Sequence, residues 1–293
     1  MLSATPARRS LETFTRVLEA RRERRQAVLD QRLLEAVACT DERTICALLH
    51  SGARPNLILK DHRVFDASRD RWNIYPPITL LVDAVLTGNV TRTEALLAAG
   101  ASVAPLVAWV ASYRIGESGP RIEAPYIVQA IEGPLANAKM VGNMRGRDNQ
   151  RAILKGVIDR YFDPGKPVWQ AVFAETIWNG EVDLALTCLD RGASWRPLRG
   201  PAVRPYPIQG VRVAYKDSSN VRCMTVPEAV TLIRRMRRDG HDPVRPDATG
   251  RYPIDNMDPD AAALLRRIVR EPRSLRRSSR RRLFVNARRP STP

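Results

Sequence analysis

The residues that could do chemistry are few and scattered. Cys46 and His50 stand four apart, which places them on one face of a helix, and Cys39 lies just upstream. That spacing suits a metal ion, but a closed site takes four ligands. His62 falls in an inserted stretch with no reason to return to the pair, so no metal is expected. Nucleophilic catalysis needs a nucleophile, a base and an orienting group together. The three histidines, His50, His62 and His241, belong to separate turns or helices. The chain has no G-x-S-x-G elbow, no phosphate-cradling glycine loop and no H-E-x-x-H pair. Arg145-Gly146-Arg147-Asp148 reads as a solvated loop, and Asp41-Glu42 as carboxylates favourable to a helix N-terminus. Cys188 stands at an apolar helical position and reads as a small buried hydrophobe. No enzyme and no cofactor are expected.

Composition frames these residues. The 293 residues are 44% hydrophobic, 27% charged and 6% aromatic, the profile of a globular chain with ample length to bury a core. No run of 18 apolar residues exists to cross a membrane as a helix. Pro6, Arg8 and Arg9 interrupt any secretory core at the N-terminus. The four cysteines include no C-x-x-C pair and form no disulfide framework. A cytoplasmic, intracellular protein is expected.

The net charge of +17 is unevenly spread. Residues 1–32 carry +4, residues 33–265 only +3, and residues 266–293 carry +10 from eleven arginines against Glu271. A groove-reading nucleic-acid domain would spread its charge over the folded surface. Arginine outnumbers lysine 43 to five, a bias that GC-rich coding explains, so a single arginine is weak evidence of a ligand. The tail run Arg276, Arg277, Arg280, Arg281 and Arg282 is of another order. It could meet nucleic-acid phosphates, anionic lipid or a nuclear import receptor, or serve only as a solubilising tail. Arg276-Arg277-Ser278-Ser279 also resembles a basophilic kinase site.

The elements that would position any site repeat. Four apolar helical runs end in a similar glycine turn: Leu48-Leu49-His50-Ser51-Gly52-Ala53, Leu96-Leu97-Ala98-Ala99-Gly100-Ala101, Cys188-Leu189-Asp190-Arg191-Gly192-Ala193 and Met236-Arg237-Arg238-Asp239-Gly240-His241. Each glycine sits where a left-handed residue would end the helix. Twelve residues before three of them come second breakpoints, Thr40-Asp41, Gly88-Asn89 and Gly180-Glu181, each preceded by another short apolar segment. The unit is helix, tight turn, helix, glycine turn. It resembles an ankyrin repeat, most closely over Thr79, Leu81, Ala84, Gly88-Asn89, Leu96-Leu97 and Gly100-Ala101. Gly240-His241-Asp242-Pro243 followed by Asp247-Ala248-Thr249-Gly250-Arg251-Tyr252-Pro253-Ile254 also matches the family's linking turn, with Tyr252 for Thr and His241 for Ala.

The resemblance implies an all-α ankyrin-repeat solenoid of about five stacked units. Their approximate bounds are 33–56, 77–103, 125–164, 168–195 and 226–271, within a repeat domain of 33–271. The third unit is degenerate. Its first helix fits either Pro134-Leu135…Ala138…Gly142-Asn143 or Ile127…Ala130-Ile131. Gly52 to Gly100 and Gly192 to Gly240 each span 48 residues, well over the family period of about 33. The additions fall at 57–76, 102–124 and 195–224, where the family builds its finger hairpins. Residues 195–224 read as an extended loop or hairpin, and the unit after it lacks a proper first helix. Residues 1–32 form a basic amphipathic segment, capped at Ser10, with Leu11, Phe14, Leu18, Val28 and Leu29 on one side. It is expected to cap the first unit, with a membrane-surface helix as the alternative. Residues 272–293 are expected to be a disordered tail.

Ankyrin stacks bind other proteins on their concave face and fingers, and the resemblance implies a non-catalytic scaffold here. The finger residues expected to carry binding are Arg63, Phe65, Arg69, Arg71, Trp72 and Tyr75, then Trp195, Arg196, Arg199, Arg204 and Tyr206. Trp72 and Trp195 could equally pack the insertions onto the stack. The alternatives are an ankyrin body carrying a tail that binds nucleic acid or anionic membrane, and a bacterial effector delivered into a host cell.

Overall fold

The structure, a computed structural model, describes residues 6–59, 62–66, 71–75, 77–114, 121–196, 207–213, 223–242, 244, 254 and 257–270. Helices α1 (Pro6–Ala38) and α2 (Glu42–His50) open the chain, followed by strands β1 (Ile58–Leu59), β2 (His62–Asp66), β3 (Arg71–Tyr75) and β4 (Ile78–Thr79). Next come α3 (Leu80–Leu86), α4 (Val90–Ala98), α5 (Ala104–Val107), β5 (Val110–Arg114) and β6 (Arg121–Glu123). The run α6 (Tyr126–Ala130), a π-turn (Ile131–Leu135) and α7 (Ala136–Met140) then leads to α8 (Met144–Tyr161). Helices α9 (Pro167–Trp178) and α10 (Val182–Asp190), a 3₁₀ turn (Pro207–Gly210), α11 (Val226–Arg238) and α12 (Pro259–Arg270) complete the order.

Local chemistry explains the repetition. After α4 the Gly100 N–H bonds back to Leu97 and the Ala101 N–H to Leu96, closing the last turn with a left-handed residue. The same pair of bonds ends α2, α10 and α11 at Gly52, Gly192 and Gly240, and ends α3 and α9 at Gly88 and Gly180. All these glycines have positive φ. The next helix starts at a side-chain cap. Asp41, Asn89 and Asn143 accept from Thr44, Arg92 and Gly146 N–H groups, and Thr79 caps α3.

The helix pairs stack into an all-α, ankyrin-like solenoid. Second helices pack in the order α2, α4, α8, α10, α11, with α12 closing the end. First helices pack as α3, α6, α9 and the 3₁₀ turn. One continuous core runs between the layers, from Leu33 and Ile45 through Leu81, Leu96, Ile127, Leu154, Phe173 and Cys188 to Leu232 and Leu265.

The structure departs from the sequence reading at the N-terminal segment and adds detail to the third unit, the fingers and the fifth unit. The N-terminal segment and the first helix of unit one are a single helix, α1, and residues 14–25 are all exposed. Gln26 ties α1 to the stack, its amide donating to Gly52 C=O and to Asp30. The reason is that Arg21, Arg22 and Arg25 fall on the same side as Phe14 and Leu18, so the apolar stripe breaks before it reaches Leu29. In the third unit both first-helix registers lie in one helical run. Pro134 lacks the N–H for an α-helical bond, and the π-turn around it accommodates the extra length. Ile127, Ala130 and Ile131 supply its buried face while Gly142-Asn143 supplies its turn.

Two fingers pair into a sheet of order β2-β3-β5-β6, all antiparallel, with Asn73 opposite Arg114 at the joint. In the fifth unit the 3₁₀ turn replaces the first helix and packs on α9. A Cβ on Gly210 would lie 2.6 Å from the Trp178 ring, so glycine is required for this approach. Arg212 covers the same ring at 4.8 Å. The linking turn at 245–253 and the tail at 271–293 lie outside the described residues.

Candidate binding groove

The first-helix layer is closely packed from α3 onward but loose at its first step, between α1 and α3. A groove of about 390 Å³ opens there. Leu34, Val37 and Ala38 of α1 form one wall with Leu59 of β1, so the groove runs from the first finger toward the inner turns. Asp83, Thr87, Asn89 and Arg92 form the polar side, with Thr40 at the end.

Arg92 is the organiser. Its side chain is 5% exposed, and its two terminal nitrogens bond Glu42 at 2.8 Å and Asp83 at 3.0 Å. The Asn89 amide also donates to Glu42, at 2.7 Å, while its oxygen caps the Arg92 N–H. Thr87 turns its hydroxyl to the Asp83 C=O. One cation therefore sits between two carboxylates, and of these Asp83 lines the groove together with Arg92 itself. The pattern is set by the helix-turn frame, because Asp83 precedes the turn, Asn89 caps the next helix and Arg92 is its third residue.

Similar polar seams join the other units. Gln150 of α8 donates to Val85 C=O, and Arg147 and Arg151 both hold the buried Glu181 carboxylate. Arg235 bridges to Asp190 at 2.6 Å, and this contact outweighs the cost of desolvation to raise its pKa further. Arg151 also lines a second, smaller opening of about 270 Å³ between α8 and α10. The Arg147 of the R-G-R-D string is thus part of α8 and of an ion-pair seam, not a solvated loop.

The finger residues expected to bind divide into three groups. Arg63, Phe65, Arg71, Trp72 and Tyr75 stand on β2 and β3, with Phe65 directly opposite Trp72 and Arg63 opposite Ile74. Arg69, Arg199, Arg204 and Tyr206, with tail residues Arg276, Arg277, Arg280, Arg281 and Arg282, lie outside the described residues. Arg196 is exposed, but Trp195 is not offered to solvent. Trp195 is buried edge-on against Phe173, with ring centroids 5.1 Å apart, and its indole N–H donates to Asp239 at 3.3 Å. An aromatic with an apolar body and one donor fills such a corner well. The groove residues were not singled out by sequence, although Thr40-Asp41 and Gly88-Asn89 mark the turns beside it.

His50 Nδ1 bonds the Cys46 C=O at 2.8 Å, which ties the imidazole to its own helix. Burial pushes the Cys188 thiol far above its usual value, so it stays a thiol. Among the described residues, no three His, Cys, Asp or Glu side chains come together as a metal site. Among the described residues, no helix is long and apolar enough to cross a membrane.

No protein-family model matches the sequence, and a comparison with curated proteins finds no match. Among solved structures, the chain is similar to the human ASB11 ankyrin repeat domain at 18% identity and a TM-score of 0.35, over 82% of this chain and 98% of that one.

Proposed function

We propose that this protein is a non-catalytic scaffold that binds another protein along the α1–α3 groove and the finger sheet beside it. The observation that carries this reading is the groove itself, an opening of about 390 Å³ lined by α1, β1, α3 and the first turn of α4. An apolar wall and a hydrogen-bonding floor of fixed geometry are what a recognition surface needs. The pre-built Arg92 network means that little ordering is required on binding. The aliphatic wall of Leu34, Val37 and Leu59 beside hydrogen-bonding Thr87 and Asn89 suits a partner segment with an apolar side chain next to a polar one.

The test is capture and cross-linking from source-cell lysate with the full chain, beside Leu34→Arg and Leu59→Arg. Glu94→Arg, on the exposed side of α4, serves as control. The reading requires that one protein be retained by the wild type and the control and lost from both groove variants, with each variant still folded by circular dichroism at the capture temperature. Retention of the same protein by both groove variants would place binding elsewhere.

A further inference from the structure

We propose that the projecting half of α1 is a docking face for an anionic lipid bilayer, independent of the groove and its partner. Residues 14–25 extend from the stack with every residue exposed. Phe14, Val17 and Leu18 are about half exposed or more, a sizeable apolar patch on a free helix. Their spacing of three and four puts them on one side. Arg21 is four residues after Val17, Arg22 is four after Leu18, and Arg25 continues the line one turn later. The same side is therefore apolar first and cationic next. Glu19 and Glu23 stand on the other side with Arg16, Glu23 nine residues or two and a half turns from Phe14. A surface with acyl chains beneath a layer of phosphates matches both halves of this face.

A helical protein partner fits it less well. Were Phe14, Val17 and Leu18 the start of a packed seam, Arg21 and Arg25 would be its next members, buried in a place that needs apolar side chains. At a bilayer those arginines reach the phosphate level while the neighbouring rings and branched chains dip below it. The pairing of this helix with itself has the same defect, since arginine would face arginine or the apolar patch.

Lipid attachment usually takes two weak signals acting together. The apolar patch and the arginines of α1 supply both within one segment. The tail's eight arginines are a separate source of attraction to acidic lipid, so the experiment must tell the two apart.

Flotation of the full-length protein with phosphatidylcholine vesicles, with and without about 30% phosphatidylserine, provides the test. Two double variants keep the tail intact: Phe14→Glu with Leu18→Glu, and Arg21→Glu with Arg25→Glu. Because these side chains are exposed, melting temperatures should match the wild type. The proposal expects binding only to the phosphatidylserine vesicles, weakened by about tenfold or more in each double variant. It is overturned if the wild type does not float, if both variants float as the wild type does, which assigns binding to the tail, or if sedimentation shows that α1 instead mediates self-association.

Discussion

The Arg92 guanidinium reaches 2.8 Å from the Glu42 carboxylate, although 50 residues separate the two in sequence. Glu42 opens α2 and Arg92 lies in the first turn of α4, so the bond crosses from one unit to the next. Asp83 takes the other arm of the guanidinium. A fork of two donors held between two acids resists sliding of the units along their interface, which apolar contacts alone would tolerate.

Removing this cation should be expensive. Arg92→Met leaves Glu42 and Asp83 facing each other across the seam with no counter-charge. We expect a loss of about 3 kcal/mol, the range for breaking a buried pair from one side. Arg92→Lys should recover only part of it, because one ammonium cannot match the fork. Urea denaturation of the two variants, with Glu42→Gln closing a double-mutant cycle, measures the coupling. A stability for Arg92→Met equal to that of the wild type would contradict this account.

Thr40 has φ +54°, the non-glycine exception among the described left-handed turns. Its N–H bonds Val37 C=O and the Asp41 N–H bonds Ala36 C=O, as Gly88 and Asn89 do with Val85 and Ala84. Thr40 thus fills a glycine position with a β-branched residue, which the left-handed region disfavours by about 1 kcal/mol. Thr40→Gly should raise stability by roughly that amount, less the entropy that glycine adds to the unfolded chain. Gly88→Ala should do the reverse, since its Cβ would also press on Gln150 Oε1 at 3.0 Å. Thermal melts of both variants should move in opposite directions.

Much of the stack is readable from such turns, because glycine, asparagine and threonine at helix ends report backbone geometry directly. Gly52, Gly88, Gly100, Gly180, Gly192 and Gly240 all adopt the positive φ that their sequence positions suggest. The groove is not readable in this way. It arises where α1 and α3 fail to close, a matter of how far apart two helices lie, and Leu34 or Asp83 looks like any other helical residue. Trp195 shows the same boundary. Tryptophan is favoured both at binding hot spots and in buried corners, and only the positions of Phe173 and Asp239 decide between them. The projecting end of α1 is an intermediate case, since its interrupting arginines are visible in sequence but the missing contact is not.

His241 stands where the resembled repeat carries alanine, directly after the Gly240 turn. Burial pushes its imidazole below the usual value; Asp239 pulls the other way, and Arg196 adds to the lowering. The folded state therefore prefers the neutral ring, while the unfolded chain protonates near 6.5. This contribution to stability is complete above that pH and is lost as the pH falls below it. Melting temperatures taken from about pH 7.5 down to about pH 5 should drop less steeply for His241→Asn than for the wild type. Parallel curves would show that the ring's charge is not coupled to folding.

The two finger tryptophans should respond differently to truncation. Trp195→Ala removes a buried ring, its edge-on contact with Phe173 and the donor to Asp239, so it should cost about 3 to 5 kcal/mol. Trp195→Phe keeps most of the packing and should recover most of that loss, leaving the missing hydrogen bond at about 1 kcal/mol. Trp72 is placed on a hairpin strand opposite Phe65, in a sheet built from the two fingers. If that sheet serves the partner, Trp72→Ala lowers capture of the partner and leaves the melting temperature nearly unchanged. Calorimetry and capture on the same preparations separate the roles, and a large drop in melting temperature for Trp72→Ala would assign it to packing instead.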